Sequence, residues 1–312
     1  MGTLNRGPGS RRPRAAHRSV VLVAPAKLTT SLRVVGRRPD GYHELEAEMV
    51  SLDLADLIEV DPGGDGLEVL VAPGAATPAT GVAATTGPEG PGSPSSAAHL
   101  VLPDAGPDNL VVRALAAAGR RAHVRLHKRI PVGGGLGGGS SDAAAILRWA
   151  DCRDVDVAAA LGADVPFCVE GGRAIVRGIG ERVSALDYRP QAFVLLLPPF
   201  GVDTGAVYRE WDRMAERGDT IRDILFNGPV NDLTAPALTV EPRLARWRDA
   251  LGDITGAPPV LAGSGSTWWV EGTPATLGLE GRTSLRLEGE EGRLLPVHAV
   301  PSGWTGERAP EG

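Results

Sequence analysis

The 312-residue sequence has few cysteines and no long apolar run. Its two cysteines, Cys152 and Cys168, are too few for a disulfide framework and lack the spacing of metal ligands. We therefore expect free thiols in a reducing, cytoplasmic environment. The apolar stretches fall well short of the roughly 20 residues that a membrane-spanning helix requires, so we expect no membrane partner.

The sequence also lacks an excess of positive charge. Its 32 lysine and arginine residues are outnumbered by 38 aspartate and glutamate residues, which gives a net charge of −6. This balance disfavours a nucleic-acid-binding protein, so we expect no nucleic-acid partner. Residues 1–18 differ, because arginines lie there among Gly, Pro and Ser without the apolar segment of a secretory signal. We predict a disordered tail, and a transit peptide, which shares the arginine richness, is the alternative.

Glycine and proline are abundant, with 42 and 26 residues respectively. A hydrophobic content of 42% is compatible with a folded protein that contains many turns. The length is enough for two domains of ordinary size, each with its own core. Between residues 73 and 98 the sequence consists almost entirely of Gly, Ala, Pro, Thr and Ser, which predicts a mobile insertion.

The most informative segment is the glycine-rich run after Pro131, which leads directly into helix-forming residues. Glycine lets another group approach the backbone closely and tolerates positive φ angles. The run therefore lies at the positively polarised start of a helix, where free backbone N–H groups bind phosphate. We expect Ser140, Ser141 and Asp142 to cap the first turn, with Asp142 complementing the helix dipole. The predicted nucleotide contacts are Pro131, Gly133, Gly134, Gly135, Leu136, Gly137, Gly138, Gly139, Ser140 and Ser141.

Two familiar phosphate-binding patterns do not explain this run. The P-loop needs a lysine where Gly139 stands. The dinucleotide pattern fits Gly133, Gly135 and Gly138, but the preceding segment 122–128 alternates apolar with basic residues, whereas that fold needs a strand buried on both faces. A flexible linker is a third alternative, which the helix formers directly after the run disfavour. We predict a loop for a nucleotide polyphosphate whose lysine comes from elsewhere in the chain.

The apolar pattern predicts both strands and helices along the chain. Strands are predicted at 20–24, 28–35, 44–51, 57–60, 67–71, 122–130, 175–183, 193–197 and 267–270, with Pro25 separating the first two. Helices are predicted at 108–120, 141–150, 154–161, 205–217 and 241–251. Elements in this order indicate an α+β fold.

Four other segments accompany the glycine-rich run in a characteristic order. They are Ala-Pro-Ala-Lys-Leu at 24–28, Asp-Gly-Tyr-His-Glu-Leu at 40–45, Leu-Gly-Ala-Asp-Val-Pro at 161–166 and Leu-Ala-Gly-Ser-Gly-Ser at 261–266. This order and spacing resemble the GHMP kinase superfamily. The second and third segments resemble its 4-diphosphocytidyl-2-C-methyl-D-erythritol kinase family.

The resemblance implies a two-domain architecture. The N-terminal domain over 19–188 would resemble ribosomal protein S5 domain 2 and contain the insertion at 73–98. The C-terminal domain over 189–306 would be ferredoxin-like, and the active site would lie between the two. The late segment with Gly263 and Gly265 would support the phosphate loop.

The resemblance also implies the activity. It indicates an ATP-dependent kinase acting on the 2-hydroxyl of a cytidine diphosphate-linked sugar alcohol, 4-diphosphocytidyl-2-C-methyl-D-erythritol, in the non-mevalonate isoprenoid pathway. ATP would be the co-substrate and Mg²⁺ the cofactor, with Ser140 or Ser141 as a candidate ligand. We expect a monomer or homodimer. Another superfamily kinase and a catalytically impaired nucleotide-binding paralogue stay open, because Thr29 stands where the family has asparagine.

Lys27 and Asp164 are the predicted catalytic residues. Lys27 follows an apolar strand at a proline break, and its ammonium group can stabilise charge on a transferred phosphoryl group. Asp164 lies on a turn between Gly162 and Pro166, where a carboxylate can take the proton of an acceptor hydroxyl. The residues alone leave two alternatives open, a surface lysine at a strand end and an aspartate that binds its own turn. The resemblance favours the catalytic roles.

The predicted substrate contacts are Thr29, Tyr42, His43, Thr204 and Tyr208. An aromatic face can stack on a base and an imidazole can hydrogen-bond a pyrimidine edge, and the resemblance assigns cytidine recognition to Tyr42 and His43. It assigns a hydroxyl contact to Thr204 and a second stacking ring to Tyr208. Core packing for either tyrosine and a local turn bond for His43 stay open.

Overall fold

The computed structural model describes residues 19–71, 100–101, 106–218 and 230–306. The predicted tail at 1–18 and the predicted insertion at 73–98 lie outside these residues. Within the described ranges the longest helix has 14 residues. None of the helices found there is long and apolar enough to span a membrane.

The described ranges contain both strands and helices, which occur in runs along the chain. The strands are β1 Val20–Arg37, β2 His43–Asp61, β3 Gly66–Val71, β4 Leu100–Val101, β5 His123–Lys128, β6 Arg173–Gly178, β7 Arg182–Leu186, β8 Ala192–Leu197, β9 Val260–Leu261, β10 Trp268–Glu271, β11 Ser284–Leu287 and β12 Glu290–Val300. The helices are α1 Leu110–Ala117, α2 Gly138–Trp149, α3 Val155–Leu161, α4 Val165–Glu170, α5 Thr204–Arg217, α6 Thr234–Val240 and α7 Arg243–Thr255.

The first two strands form a long antiparallel hairpin that carries several predicted site residues. β1 pairs with β2 along its whole length, with a register shift between Pro25 and Lys27. Proline cannot donate a ladder hydrogen bond, so it causes a local irregularity without ending the strand. The strands predicted on either side of Pro25 are therefore one strand, and those predicted at 44–51 and 57–60 are likewise one.

The strands of the described ranges join into one sheet of 12 strands. β2 pairs antiparallel with β5 and with β6. β5 also pairs parallel with β3, and β6 also pairs antiparallel with β7. β8, β9, β10 and β12 form a second, antiparallel group. Two residue pairs between β12 and β2, Ala299 with Leu52 and Val300 with Ser51, join the groups. The predicted α+β class is confirmed.

Some predicted elements have different bounds in the structure. The strand predicted at 175–183 is a hairpin, because Gly178 and Gly180 adopt positive φ angles and reverse the chain between β6 and β7. The helix predicted at 108–120 begins only after Asn109, whose side chain accepts a hydrogen bond from the Val111 amide, and it ends at Ala117. The sequence pattern does not predict α4, α6, β4, β9, β11 or β12.

The helix after the glycine-rich run, α2, lies deep in the protein. Residues 143–147 are each at most 1% exposed. α2 packs against α1, α4 and β1, and these neighbours hold the apolar middle of the helix on all sides. The loop at its N-terminus is therefore anchored to the core.

Candidate active site

The glycine-rich loop turns into α2 through residues in the left-handed region. Gly133 and Gly135 both have φ +75°, and Gly137, which precedes the helix, has φ +67°. These angles strain any residue with a side chain. The first N–H groups of an α-helix have no helical acceptor, so they are free to bind an anion. The loop thus has the backbone donors that the sequence predicts.

The predicted capping by Ser140, Ser141 and Asp142 is wrong. α2 begins at Gly138, and its N-cap is Gly137 without a side-chain hydrogen bond. The left-handed glycine starts the helix three positions earlier than the serines suggest, so all three residues lie inside it. Asp142 falls after the first turn, which has no acidic residue.

Gly135 packs directly against the late glycine segment. A methyl group on Gly135 would lie 2.6 Å from the carbonyl oxygen of Ala262 and 3.0 Å from Gly265 Cα. Backbones approach this closely only where neither residue has a side chain. The late segment therefore braces the glycine-rich loop, as the family resemblance implies.

We expect Gly135→Ala to weaken nucleotide binding by about 1–3 kcal/mol, because alanine is strained at this φ angle and its methyl group clashes with Ala262. Titration calorimetry with a non-hydrolysable ATP analogue measures the change. Gly119→Ala is the matched control, since Gly119 also has positive φ but no atom within 4 Å of its methyl position. Equal affinities for the two variants would contradict this role of Gly135.

Lys27 extends beneath the glycine-rich loop towards Asp164. Its backbone N–H donates to the Leu136 carbonyl over 3.0 Å, and a methyl group on Gly137 would lie 2.7 Å from Lys27 Cγ. Lys27 Nζ lies 3.2 Å from Asp164 Oδ2, and the two side chains are 6% and 29% exposed. The ammonium group is buried while the carboxylate reaches solvent. The structure brings the predicted pair together, and the surface-lysine alternative is wrong.

Asp164 lies at the junction of two short helices. Gly162 follows α3, and Pro166 lies in the first turn of α4. The Asp164 carboxylate makes no capping hydrogen bond to the amides of α4. The alternative of an aspartate that binds its own turn is therefore wrong, and the carboxylate is available to Lys27 and to a hydroxyl group from solvent.

Ser140 and Ser141 have different environments. Ser141 is buried, and its hydroxyl donates to the Pro25 carbonyl over 2.5 Å, which ties α2 to β1. Ser140 is half-buried, and a methyl group on Gly162 would lie 3.9 Å from its Oγ. Ser140 therefore lies on the side of the loop that faces the Asp164 turn.

The described residues contain no group of three or more His, Cys, Asp or Glu side chains that could hold a metal ion. Magnesium in phosphoryl-transfer sites keeps several waters and binds substrate phosphates with only one or two protein oxygens. The Ser140 hydroxyl is an oxygen donor in the first turn of α2. This donor set fits a magnesium ion held mainly by nucleotide phosphates.

A second buried lysine lies beneath the loop. Lys128, the last residue of β5, contacts Asp56 of β2 and lies 2.7 Å from Asp142 Oδ2 of α2. Asp56 Oδ1 also accepts the backbone N–H groups of Arg129 and Ile130, over 2.5 and 2.9 Å. This triad of Lys128, Asp56 and Asp142 fixes the backbone on both sides of the glycine-rich loop.

The triad has two carboxylates for one ammonium group. Burial raises the pKa of Asp142 to about 7, against the lowering effect of Lys128. Burial disfavours the charged form of Lys128, but the two carboxylates outweigh it and raise its pKa. Asp142 thus pairs with a buried cation, whereas the sequence predicted a helix-dipole role.

The sequence contained one signal for Lys128. Its 32 basic residues include only two lysines, Lys27 and Lys128. Arginine is therefore the ordinary surface cation of this chain. A lysine, with its compact point charge, marks a position where arginine does not fit.

His43 and Tyr208 come together from distant parts of the chain. Their rings stack with centroids 4.8 Å apart, and Trp211 meets His43 edge-on at 5.3 Å. His43 Nε2 lies 2.8 Å from Asp212 Oδ1, so the alternative of a local turn bond is wrong. Burial, and then the charge of Asp164, raises the pKa of Tyr208. This aromatic cluster therefore lies within electrostatic range of Asp164.

The other predicted substrate contacts are spread around this site. Tyr42 is 61% exposed, so its core-packing alternative is wrong. Thr29 Oγ1 accepts from Lys27 Nζ over 3.3 Å. Thr204 Oγ1 lies 2.9 Å from Ser264 Oγ of the late glycine segment.

A cleft of about 250 Å³ runs along the glycine-rich loop. Asn109 and Leu110 at the start of α1 line it, together with Lys128, Asp142 and the loop itself. The cleft is concave and has apolar walls beside backbone donors, as small-molecule sites generally do. It gives an elongated ligand room along the loop.

Comparison with known proteins agrees with this geometry. The family described as "GHMP kinases N terminal domain" matches residues 109–172, which include the glycine-rich loop and Asp164. A 4-diphosphocytidyl-2-C-methyl-D-erythritol kinase from Paracoccus denitrificans (strain Pd 1222) is 37% identical over 255 residues, 78% of this chain and 84% of that protein. One of the same name from Pelotomaculum thermopropionicum is 34% identical over 278 residues, 80% of this chain and 87% of that protein.

A solved structure is also similar. The crystal structure of 4-(cytidine 5'-diphospho)-2C-methyl-D-erythritol kinase matches with a TM-score of 0.59 at 29% identity, over 90% of this chain and 100% of that one. The similarity extends over nearly the whole length, far beyond the glycine-rich loop. The chain belongs to the 4-diphosphocytidyl-2-C-methyl-D-erythritol kinase family of GHMP kinases.

Proposed function

We propose that this protein transfers the γ-phosphoryl group of ATP to the 2-hydroxyl of 4-diphosphocytidyl-2-C-methyl-D-erythritol, a step of the non-mevalonate isoprenoid pathway. The observation that carries the proposal is the Lys27–Asp164 pair, 3.2 Å apart at the edge of the glycine-rich loop. A buried ammonium group and a partly exposed carboxylate lie beside free backbone donors. Phosphoryl transfer to a hydroxyl needs all three.

The chemistry divides among these groups. The loop amides bind the polyphosphate, and Lys27 stabilises negative charge on the transferred group. Asp164 accepts the proton of the 2-hydroxyl while the oxygen of that hydroxyl bonds to the γ-phosphorus of ATP. The bond between the γ-phosphorus and the β–γ bridging oxygen breaks at the same time, which releases ADP. Mg²⁺, with Ser140 as its candidate protein ligand, would supply further charge neutralisation when bound.

The acceptor site that we propose lies between two domains, 19–188 and 189–306. His43 starts β2 in the first and Tyr208 lies on α5 in the second, so their stacked rings would lie where the two domains meet. The pyrimidine ring would bind at this aromatic cluster, with Tyr42 as an exposed aromatic face beside it. Thr29 would contact the acceptor next to Lys27, and Thr204 would contact it from the start of α5.

An acceptor panel tests the function directly. We expect ADP release from ATP and Mg²⁺ with 4-diphosphocytidyl-2-C-methyl-D-erythritol, and far slower release with mevalonate or homoserine. Phosphorus NMR of the product identifies the phosphorylated hydroxyl. Release with another acceptor would favour a related superfamily kinase, and release with none would favour a catalytically impaired nucleotide-binding paralogue.

We expect Tyr42→Ala to raise the KM for the cytidyl acceptor about tenfold, because base–aromatic stacking is worth about 1–3 kcal/mol. The KM for ATP should change little. Steady-state kinetics with each substrate varied in turn measures both values. Val35→Ala, an exposed apolar residue of the same hairpin, is the control, and equal effects of Tyr42→Ala on both KM values would place Tyr42 outside the acceptor site.

A further inference from the structure

A second cavity lies beside the strand that carries Lys27 and the helix that follows Asp164. Its volume is about 380 Å³, within the range of small-molecule sites. β1, α2, α4 and the segment after β12 line it, and its walls include Val23, Arg148, Trp149, Cys168 and Trp304. It shares no lining residue with the cleft along the glycine-rich loop.

Arg148 connects this cavity to the catalytic elements. Its guanidinium group donates to the Cys168 carbonyl and, over 3.1 Å, to the Val23 carbonyl. Val23 lies on β1, the strand that carries Lys27. Cys168 lies on α4, and its N–H donates to the carbonyl of Asp164 over 3.0 Å. The guanidinium group therefore joins the strand of Lys27 to the helix that follows Asp164.

The charge of Arg148 has no carboxylate partner within the described ranges. Both of its described hydrogen bonds go to carbonyl oxygens, and Glu170, on the cavity rim, makes no ion pair with it. Burial lowers the pKa of Arg148. A guanidinium group has more donors than these two bonds use. An anionic ligand would supply the missing negative charge.

We propose that this cavity binds a small organic anion, a carboxylate with an apolar body. The carboxylate pairs with Arg148, and the body packs against Trp149 and Trp304. A carboxylate accepts from guanidinium more strongly than a peptide carbonyl does. Its binding therefore draws Arg148 away from Val23 and Cys168, which loosens the Lys27–Asp164 geometry and lowers kcat. The binding site is independent of the proposed kinase activity, and only its effect on kcat rests on that activity.

Phenylacetate is a suitable probe, with phenylacetamide as its neutral counterpart. We expect saturation-transfer NMR with the full chain to show phenylacetate binding that excess ATP does not displace. Arg148→Met should weaken it at least about tenfold, the effect of losing a charged hydrogen-bond partner. Arg182→Met is the control, because Arg182 is 62% exposed and lies outside the cavity lining; it should bind phenylacetate like the unmodified protein.

Three results would overturn the site. They are displacement of phenylacetate by ATP, equal binding of phenylacetamide, and unchanged binding to Arg148→Met. The first two results are measured on the unmodified protein, so they test the proposed site even if Arg148→Met does not fold. Kinase assays test the coupling separately: phenylacetate should lower kcat at saturating ATP and acceptor, and an unchanged kcat with bound phenylacetate would overturn the coupling. A protein inactive on the cytidyl acceptor would contradict the proposed function while the binding measurements still test the cavity.

Discussion

Replacing Asp164 by asparagine should lower kcat at least about 10²-fold, the usual effect of losing a general base. Asparagine keeps the size of the side chain but cannot take the proton of the acceptor hydroxyl. It also removes the negative partner of Lys27, now 3.2 Å away. The KM for ATP should change little, since nucleotide binding depends on the loop amides. Steady-state ADP release at saturating acceptor measures the loss.

Asp156→Asn is the matched control for this substitution. Asp156 is an exposed aspartate on α3, one element before Asp164, and is not part of the site. It should leave kcat unchanged. Near-normal turnover by Asp164→Asn would show that another group takes the proton.

The features predicted best from the sequence are those that depend on neighbouring residues. The residues that determine a glycine-rich loop and the helix after it are adjacent in the sequence, because positive φ angles favour glycine and alanine favours the helix. The motifs that contain Lys27 and Asp164 are also recognised from adjacent residues. The prediction that the two side chains lie close together came from the family resemblance. Their 3.2 Å separation is a tertiary fact that the motifs imply only through that resemblance.

The start of α2 shows where a local preference misleads. Serine and aspartate are strong caps, and Ser140, Ser141 and Asp142 precede an apolar stretch. Gly137 in the left-handed region begins the helix earlier, however. The serines therefore do not cap the helix, and the Ser141 hydroxyl instead donates to the Pro25 carbonyl.

The late strands were not predictable from their own residues. β12 contains Pro296, which pairs with Val194 of β8, and two glutamates at its start. Proline and charge argue against a strand locally. β12 forms because it pairs with β2 and β8. Both partners lie far from β12 in the sequence. Such long-range pairing has no local signature.

The triad beneath the loop was likewise not predictable from local sequence. Lys128 and Asp56 are 72 residues apart, and nothing in the sequence around Asp56 distinguishes it from the other acidic residues of β2. The scarcity of lysine marks one member only. The sheet register, which sets β2 beside β5, decides which carboxylate the ammonium group meets.

Lys128→Met should destabilise the protein by about 3–5 kcal/mol, the cost of breaking a buried charge pair. The substitution leaves Asp56 and Asp142 close together, 0% and 4% exposed, without their cation. Removing the cation also removes the effect that opposes the rise in the pKa of Asp142. Urea denaturation followed by circular dichroism measures the change in the free energy of unfolding.

Lys27→Met is the matched control, because Lys27 is the only other lysine of the sequence and is as deeply buried. Its carboxylate partner, Asp164, is 29% exposed and returns to water when the ammonium group is lost. The expected cost is therefore below about 1 kcal/mol, although phosphoryl transfer should be lost. Equal destabilisation by the two variants would contradict the argument from desolvation. The double variant Lys128→Met with Asp142→Asn should recover stability over Lys128→Met alone, because Asp56 then keeps its Arg129 and Ile130 amides as donors and faces no second carboxylate.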